Sequence, residues 1–456
     1  MPGKQQFCTL LPRTVAPAAT ALLLFAAVML SPLGLRSSAD EKKTTDTMNS
    51  VQRGQALQML KETADTVRKQ YYDPAYHGVN FEARYTEAEQ RVHKVPTFSD
   101  AFGVIAWMLD GLNDSHTFFL PPHRPFIVED GWEATFIGDN CFVTAIKEGS
   151  DAAAKGLKPG DQVVSVEGFR AKRDTWWKVE YALHNLSPRA GMKLVVVSPG
   201  GQPREVTVMS AVKNLPKTYD LTKGSDIWQV IRESQNDQQR YKPRSVEQGD
   251  VLVWKLPAFM ISDDDIDGVL HKASNHKAFV IDLRDNGGGA VDNLTRLLGG
   301  VMDHEVKVGD RVERKNTKPL MAKSRGDHAF SGKVIVLVNS RSASASELFA
   351  RVVQLEKRGT VVGDRSAGAV MEARRYPLSV GIDTKVSYGV EVTVADLKMT
   401  DGNSLERHGV VPDELLLPTA GDLAAGADPQ LARALELAGH PITPEQAGKL
   451  FPTVWR

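Results

Sequence analysis

Three hydroxyls stand in the run Ser342-Ala343-Ser344-Ala345-Ser346-Glu347, which follows an apolar stretch, Val334 to Val338, and opens a helical pattern, Leu348 to Gln354. A hydroxyl at a strand-to-helix turn faces the positive end of the helix and its unpaired N–H groups. Ser344 is therefore placed as a nucleophile, because the same N–H groups can hold an oxyanion. The competing reading is structural: Ser344 and Glu347 have the S-x-x-E spacing of a capping box. Alone, the run favours the cap; three further segments change the balance.

In Asp282-Leu283-Arg284-Asp285-Asn286-Gly287-Gly288-Gly289 a strand runs into a glycine-rich turn. Glycines let backbone N–H groups approach a ligand closely, so this turn is a candidate oxyanion donor. It does not read as a phosphate loop, since the Walker lysine and hydroxyl are absent and G-x-G-x-x-G spacing is not met. Arg284 and Asp285 are expected to form a structural ion pair. The segment Leu112-Asn113-Asp114-Ser115-His116-Thr117-Phe118-Phe119 sets His116 just past a helix end, among hydroxyls and aromatics. The segment Ser404-Leu405-Glu406-Arg407-His408-Gly409-Val410-Val411-Pro412-Asp413 reads by itself as a turn before a short extended run. His408 and His123 are expected to be exposed or capping.

Around these segments, residues 50–122 predict a helical unit. Leu57, Leu60, Ala64 and Val67 share one face, as do Phe98, Ala101, Phe102, Ile105, Met108, Leu109 and Leu112. Residues 126–213 change to short strands and turns. Within them, Gly156 to Gly168 resembles the signature of PDZ domains: a Pro159-Gly160 turn feeds a buried strand, and a second turn follows at Glu167-Gly168. Asp151 to Lys155 fits the short helix of that fold, and Trp176-Trp177 its packing. PDZ domains bind peptide termini by adding a strand to an open edge. Their Gly-Leu-Gly-Phe carboxylate loop is not evident; Ala134-Thr135-Phe136-Ile137 stands in its place.

Residues 220–419 alternate strands with helices, an α/β layout. Strands are expected at Val251 to Leu256, Ala278 to Leu283, Val334 to Val338, Thr360 to Gly363 and Tyr388 to Val394. Helices are expected at Ser262 to Ala273, Ala290 to Met302 and Ser344 to Gln354. Residues 420–456 read as a Gly/Ala-rich linker and a helical tail, with helices starting at Asp428-Pro429 and Thr443-Pro444.

The 456 residues carry 56 basic and 56 acidic side chains, so formal net charge is zero. Nothing in that balance points to nucleic acid or an acidic membrane surface. Residues 1–39 read as a secretory signal: Lys4 and Arg13 precede an apolar stretch, Val15 to Leu30, and Ser37-Ser38-Ala39 offers a cleavage site. The stretch is short for a membrane span. Export to a periplasm or the cell exterior follows, with an uncleaved anchor as the alternative; residues 40–49 are a polar linker. Cys8 lies in the leader, leaving Cys141 alone, so no internal disulfide and no zinc-binding cysteine cluster is expected.

Taken in order, the Asp-x-His-Thr string, the PDZ-like insert, the Asp-Leu-Arg-x-Asn-x-Gly-Gly string, the Ser-Ala-Ser-Ala-Ser-Glu string and the Gly-Val-x-Pro-Asp string resemble the C-terminal processing (tail-specific) peptidases and their tricorn relatives. The resemblance spans about Ser50 to Thr419. It implies a ClpP/crotonase-like serine peptidase core with a helical N-terminal unit and an inserted PDZ-like β-rich domain, needing no cofactor or metal. It implies Ser344 as the nucleophile. In one branch a lysine in a Gly-Lys-Gly string is the base, but Ala369 stands at that position here. In the tricorn-like branch a histidine is the base, supported by a second serine and a distant glutamate. That implies His116 as base, Ser115 and Glu406 as its supports, and Gly288 and Ala345 as oxyanion donors; which support touches the imidazole is left open. The expected function is an exported serine endopeptidase acting on unfolded or partly folded polypeptides presented as an extended strand, with the PDZ-like domain tethering the substrate or gating the cleft. The rivals are a silent peptide-binding scaffold of the same fold and an ester-cleaving or acyl-transfer enzyme.

Overall fold

The computed structural model describes residues 47–214, 242–381 and 385–452. The leader expected over 1–39, most of the linker and residues 220–241 of the expected core lie outside the described residues.

Three helices come first, Ser50–Gln70, Phe81–Lys94 and Phe98–Asp110. The first and third open on reciprocal caps, Asn49 with Gln52 and Thr97 with Asp100, which satisfy N–H groups the helices leave over. Their buried cluster also takes in Val380, Tyr388, Val390 and Val392. Those residues belong to an antiparallel sheet built on one long strand, Val386–Met399. Met371–Val380 flanks that strand on one side. Phe118–Leu120 and Val306–Glu313 share the other, and Thr317–Ala322 extends the sheet beyond Val306–Glu313. The helices and this sheet thus share one core, and His116 sits where they join.

A second, six-stranded sheet runs in the order Arg244–Gln248, Val251–Lys255, Ala278–Asp282, Lys333–Val338, Gly359–Gly363, Glu414–Leu415. Its first pair is antiparallel and the rest are parallel. The inner strands are apolar throughout because both faces are covered. Leu252, Trp254, Phe279, Ile281, Val334 and Val336 pack with Leu294, Leu298, Phe349 and Val353 of two helices, Val291–Val301 and Ala345–Leu355. Val251, Val253, Val280, Ile335 and Leu337 face Leu431, Ala434 and Leu435 of the helix Pro429–Leu437. The stretch expected as a linker forms a short helix, Ala420–Ala425, capped by Thr419 and Asp422. No described helix is long and apolar enough to cross a membrane.

Between Phe118–Leu120 and Arg244–Gln248 in sequence lies a β-rich insert. Its main sheet runs Trp132–Ile137, Asn140–Ile146, Gln162–Val166, Gly191–Val197, Pro203–Met209, with Phe169–Arg170 beside Gln162–Val166. Trp176 packs edge-on against Phe136 in its core. The edge strand Trp132–Ile137 meets the parallel-sheet unit: Arg341 donates to the Ala134 carbonyl (3.1 Å) and Ser340 to the Phe136 carbonyl (2.6 Å). An ion pair between Arg173 and Asp364 (2.9 Å) adds to that contact.

Candidate active site

Neighbouring parallel strands, Ala278–Asp282 and Lys333–Val338, run in register with Asp282 opposite Leu337. The loops that leave their carboxyl ends therefore lie side by side, the usual place for a site in such a sheet. One loop carries Gly287 to Gly289. The other carries Ser344, directly before the helix Ala345–Leu355.

Ser344 has φ +55° and ψ −118°, a conformation that costs a side-chain-bearing residue energy and is retained where surroundings enforce it. Its N–H donates to the Ala369 carbonyl (2.9 Å) and to Glu347 Oε2 (3.0 Å). The Glu347 N–H bonds the Ser344 carbonyl (2.9 Å). The capping contact and a half-buried nucleophile thus coexist. Gly288 has φ +96°, and a Cβ there would lie 2.6 Å from Ser344 Cβ and 3.0 Å from the Ala345 nitrogen. Only glycine fits this approach. The Gly288 N–H, however, is engaged by Asn286 Oδ1 (2.8 Å) in this structure. The Ala345 N–H opens the helix, among the donors that no turn of the helix satisfies.

His116 is reached from the other side. Asp114 Oδ1 accepts the N–H groups of His116 (2.9 Å) and Thr117 (2.6 Å), fixing the loop after the third helix. Ser115 Oγ lies 2.7 Å from His116 Nδ1 and 2.8 Å from Glu406 Oε2. Glu406 also accepts the N–H of Ser115 (2.8 Å) and of Val370 (2.9 Å). Ser115 has one hydrogen, and an ionised Glu406 can only accept it. Ser115 must then accept from Nδ1–H, which leaves His116 Nε2 as the basic nitrogen. Burial pushes the His116 imidazole below its ordinary value and raises the Glu406 carboxyl.

His116, Ser344, Ala345 and Gly287 line one cavity of about 530 Å³ together with Leu294, Leu348 and Leu397. No hydrogen bond joins His116 to Ser344 among the described residues, and such bonds commonly tighten only with substrate bound. Lys385 and Lys398, the lysines that could stand in for the one absent at Ala369, are exposed and line no part of this cavity. His408 and His123 are exposed, and His408 Nδ1 contacts the Glu406 carbonyl (2.8 Å).

The expected Arg284–Asp285 pair does not form. Arg284 forks between Asp282 (2.8 Å) and Asp428 (2.7 Å), because Asp282 is wholly buried beside it and Asp428 caps the last large helix. Asp285 instead bonds Asn339, by its N–H (3.0 Å) and its Oδ1 (3.0 Å). Sequence reasoning also passed over Asp114 and Asn286. Both lie inside the motifs as polar residues in turns that the fold buries, and such groups must be hydrogen-bonded.

Residues 250–416 match peptidase family S41, and residues 54–110 match the tricorn protease C1 domain. The tail-specific protease of Haemophilus influenzae is 24% identical over 324 residues, covering 66% of this chain and 43% of its own length. The carboxyl-terminal-processing protease of Synechocystis sp. is 26% identical, covering 63% of this chain and 62% of its own. This chain thus spans less than two thirds of those two relatives. The crystal structure of mature CPAF superposes with a TM-score of 0.62 at 18% identity, over 82% of this chain and 95% of that one. The chain has the mixed α/β fold of that structure.

Proposed function

We propose that this chain, whose residues 250–416 are a peptidase family S41 domain, is a serine endopeptidase with Ser344 as nucleophile and His116 as general base. The observation that carries this reading is the Glu406–Ser115–His116 chain of hydrogen bonds, which leaves Nε2 free for a proton on a residue that lines the same cavity as Ser344.

Ser344 Oγ attacks the scissile carbonyl carbon while His116 Nε2 takes the hydroxyl proton. The imidazolium then returns that proton to the leaving nitrogen, and the C–N bond breaks to give an acyl-Ser344 ester. Water, deprotonated by His116, hydrolyses the ester. The carbonyl oxygen carries negative charge in both addition steps. The Ala345 N–H faces it at the helix start, and the Gly288 N–H joins once it leaves Asn286. Glu406 offsets the imidazolium charge through Ser115. The substrate is an extended stretch of polypeptide, since a folded chain does not enter a cleft between packed sheets. We read the β-rich insert as PDZ-like and as the element that presents this stretch. The signal-like residues 1–39 support export to a periplasm or the cell exterior.

Digestion of an unfolded protein by wild type, Ser344→Ala and His116→Ala tests the reading. Wild type alone should cut. A Ser344→Ala protein as fast as wild type sinks the assignment.

A further inference from the structure

The mechanism leaves one buried ionisable side chain unused. Glu347, three residues beyond the nucleophile, is completely enclosed. Its carboxylate accepts four hydrogen bonds from two parts of the chain: Ser344 N–H (3.0 Å), and, from one turn, Ser366 Oγ (2.6 Å), Gly368 N–H (2.8 Å) and Ala369 N–H (2.9 Å). The next amide, Val370 N–H, goes instead to Glu406 (2.9 Å). Three successive amides are thus divided between the carboxylate behind the nucleophile and the carboxylate behind the base.

The backbone is shaped for this. Gly368 has φ +71°, and a Cβ there would sit 3.0 Å from backbone atoms of Arg407, His408 and Gly409. A left-handed residue lets neighbouring N–H groups converge on one anion, as in a backbone nest. The Ala369 carbonyl closes the loop by accepting the Ser344 N–H (2.9 Å).

We propose that Glu347 is a positioning residue for Ser344: resting on the peptidase reading above, its ionised carboxylate holds the strained nucleophile turn and, through residues 368–370, sets its distance from the His116–Ser115–Glu406 chain. A residue at φ +55° stays there only while its surroundings over-determine it. Three of the four partners of Glu347 are amides, which can only donate. A protonated carboxyl devotes one position to its own hydrogen, so protonation displaces an amide or forces the Ser366 hydroxyl to turn from donor to acceptor. Burial lifts this carboxyl to about 7 against the pull of the four hydrogen bonds. No charged side chain pairs with Glu347 among the described residues. Arg365 precedes Ser366 in the same turn, and Val370 at its far end bonds Glu406, which lies 3.4 Å from Arg407.

The experiment follows kcat and KM of the full chain on an unfolded polypeptide from pH 5 to 9, for wild type, E347Q, S366A and S344A. A glutamine keeps the shape but turns an NH2 toward donors. E347Q should lose about 100-fold in kcat, the scale of a small misplacement of reacting groups, with KM within about threefold. Its activity should also lack the acid loss expected of wild type as Glu347 takes up a proton near pH 7, retaining the losses set by His116 and Glu406. S366A removes one hydrogen bond to the ionised form, so its acid loss should move to higher pH. E347Q with wild-type kcat and an unmoved acid limb overturns the proposal. Should E347Q fail to fold, an S366A acid limb that coincides with wild type overturns it instead. A wild type that does not cut, or an S344A that does, removes the peptidase reading and Glu347's role with it.

Discussion

Glu406 reaches His116 only through Ser115. The hydroxyl stands 2.7 Å from the imidazole Nδ1 and 2.8 Å from the carboxylate, while the Ser115 amide holds the second carboxylate oxygen. The acid is therefore held by the backbone of the residue it works through.

Ser115→Ala should cut this connection without disturbing Glu406, whose bonds to the Ser115 and Val370 amides remain. The imidazole then loses the group that selects its tautomer. We expect kcat to fall about 100-fold or more, with KM little changed. Steady-state kinetics on a peptide substrate, compared with His116→Ala, checks this; a Ser115→Ala enzyme near wild type would leave Glu406 without a role in catalysis.

Gly288→Ala should be harsher than its size suggests. The left-handed backbone at φ +96° and the 2.6 Å approach to Ser344 Cβ both forbid a methyl group. Strain of about 1–3 kcal/mol and loss of an oxyanion donor, worth about 100-fold or more in kcat, should appear together. Denaturant unfolding and turnover of the same preparation separate the two effects.

Arg284→Ala should unfold the chain at lower denaturant while leaving the cavity residues in place. Burial by itself would raise the Asp282 carboxyl, but Arg284 and Lys255 outweigh it and hold that carboxyl far below the usual range. Its contribution to stability is therefore present at neutral pH and lost on acidification below about 4. Removing the guanidinium strands Asp282 and releases Asp428, at a cost of about 3–5 kcal/mol. A urea midpoint shift with an unchanged slope is the expected result.

Glu347 predicts opposite trends for stability and activity. A buried carboxyl with its value raised to about 7 favours the fold most when protonated. That contribution is complete below its unfolded value of about 4.3 and disappears as pH rises through about 7. The melting temperature of wild type should therefore fall between pH 5 and 8 by more than that of Glu347→Gln. Equal slopes for both proteins would mean that Glu347 is ionised throughout this range.

Much of the fold was legible because packing on two faces leaves a simple pattern. The strands Val251–Lys255, Ala278–Asp282 and Lys333–Val338 are continuous apolar runs. The hairpin Val306–Ala322 and the strand Met371–Val380 were not read, since each is half-exposed and rich in charge, and the latter contains Pro377. The Arg284–Asp428 pair joins residues 144 positions apart, which no local signal reports. Ser344, His116, Ser115 and Glu406 were singled out as candidates because their motifs carry them. Glu347 was read only as a helix cap, because its other partners come from a turn some twenty residues further on.

The contact that Ser340 and Arg341 make with the insert also covers a sheet edge. The carbonyls of Ala134 and Phe136 would otherwise be open on a sheet edge, the kind of surface that recruits strands from other molecules and seeds assembly. Arg341 and Ser340 occupy both. They stand three and four residues before Ser344, so the contact with the insert and the turn that bears the nucleophile share one short stretch of chain. The same two side chains cover an edge that would otherwise invite self-association.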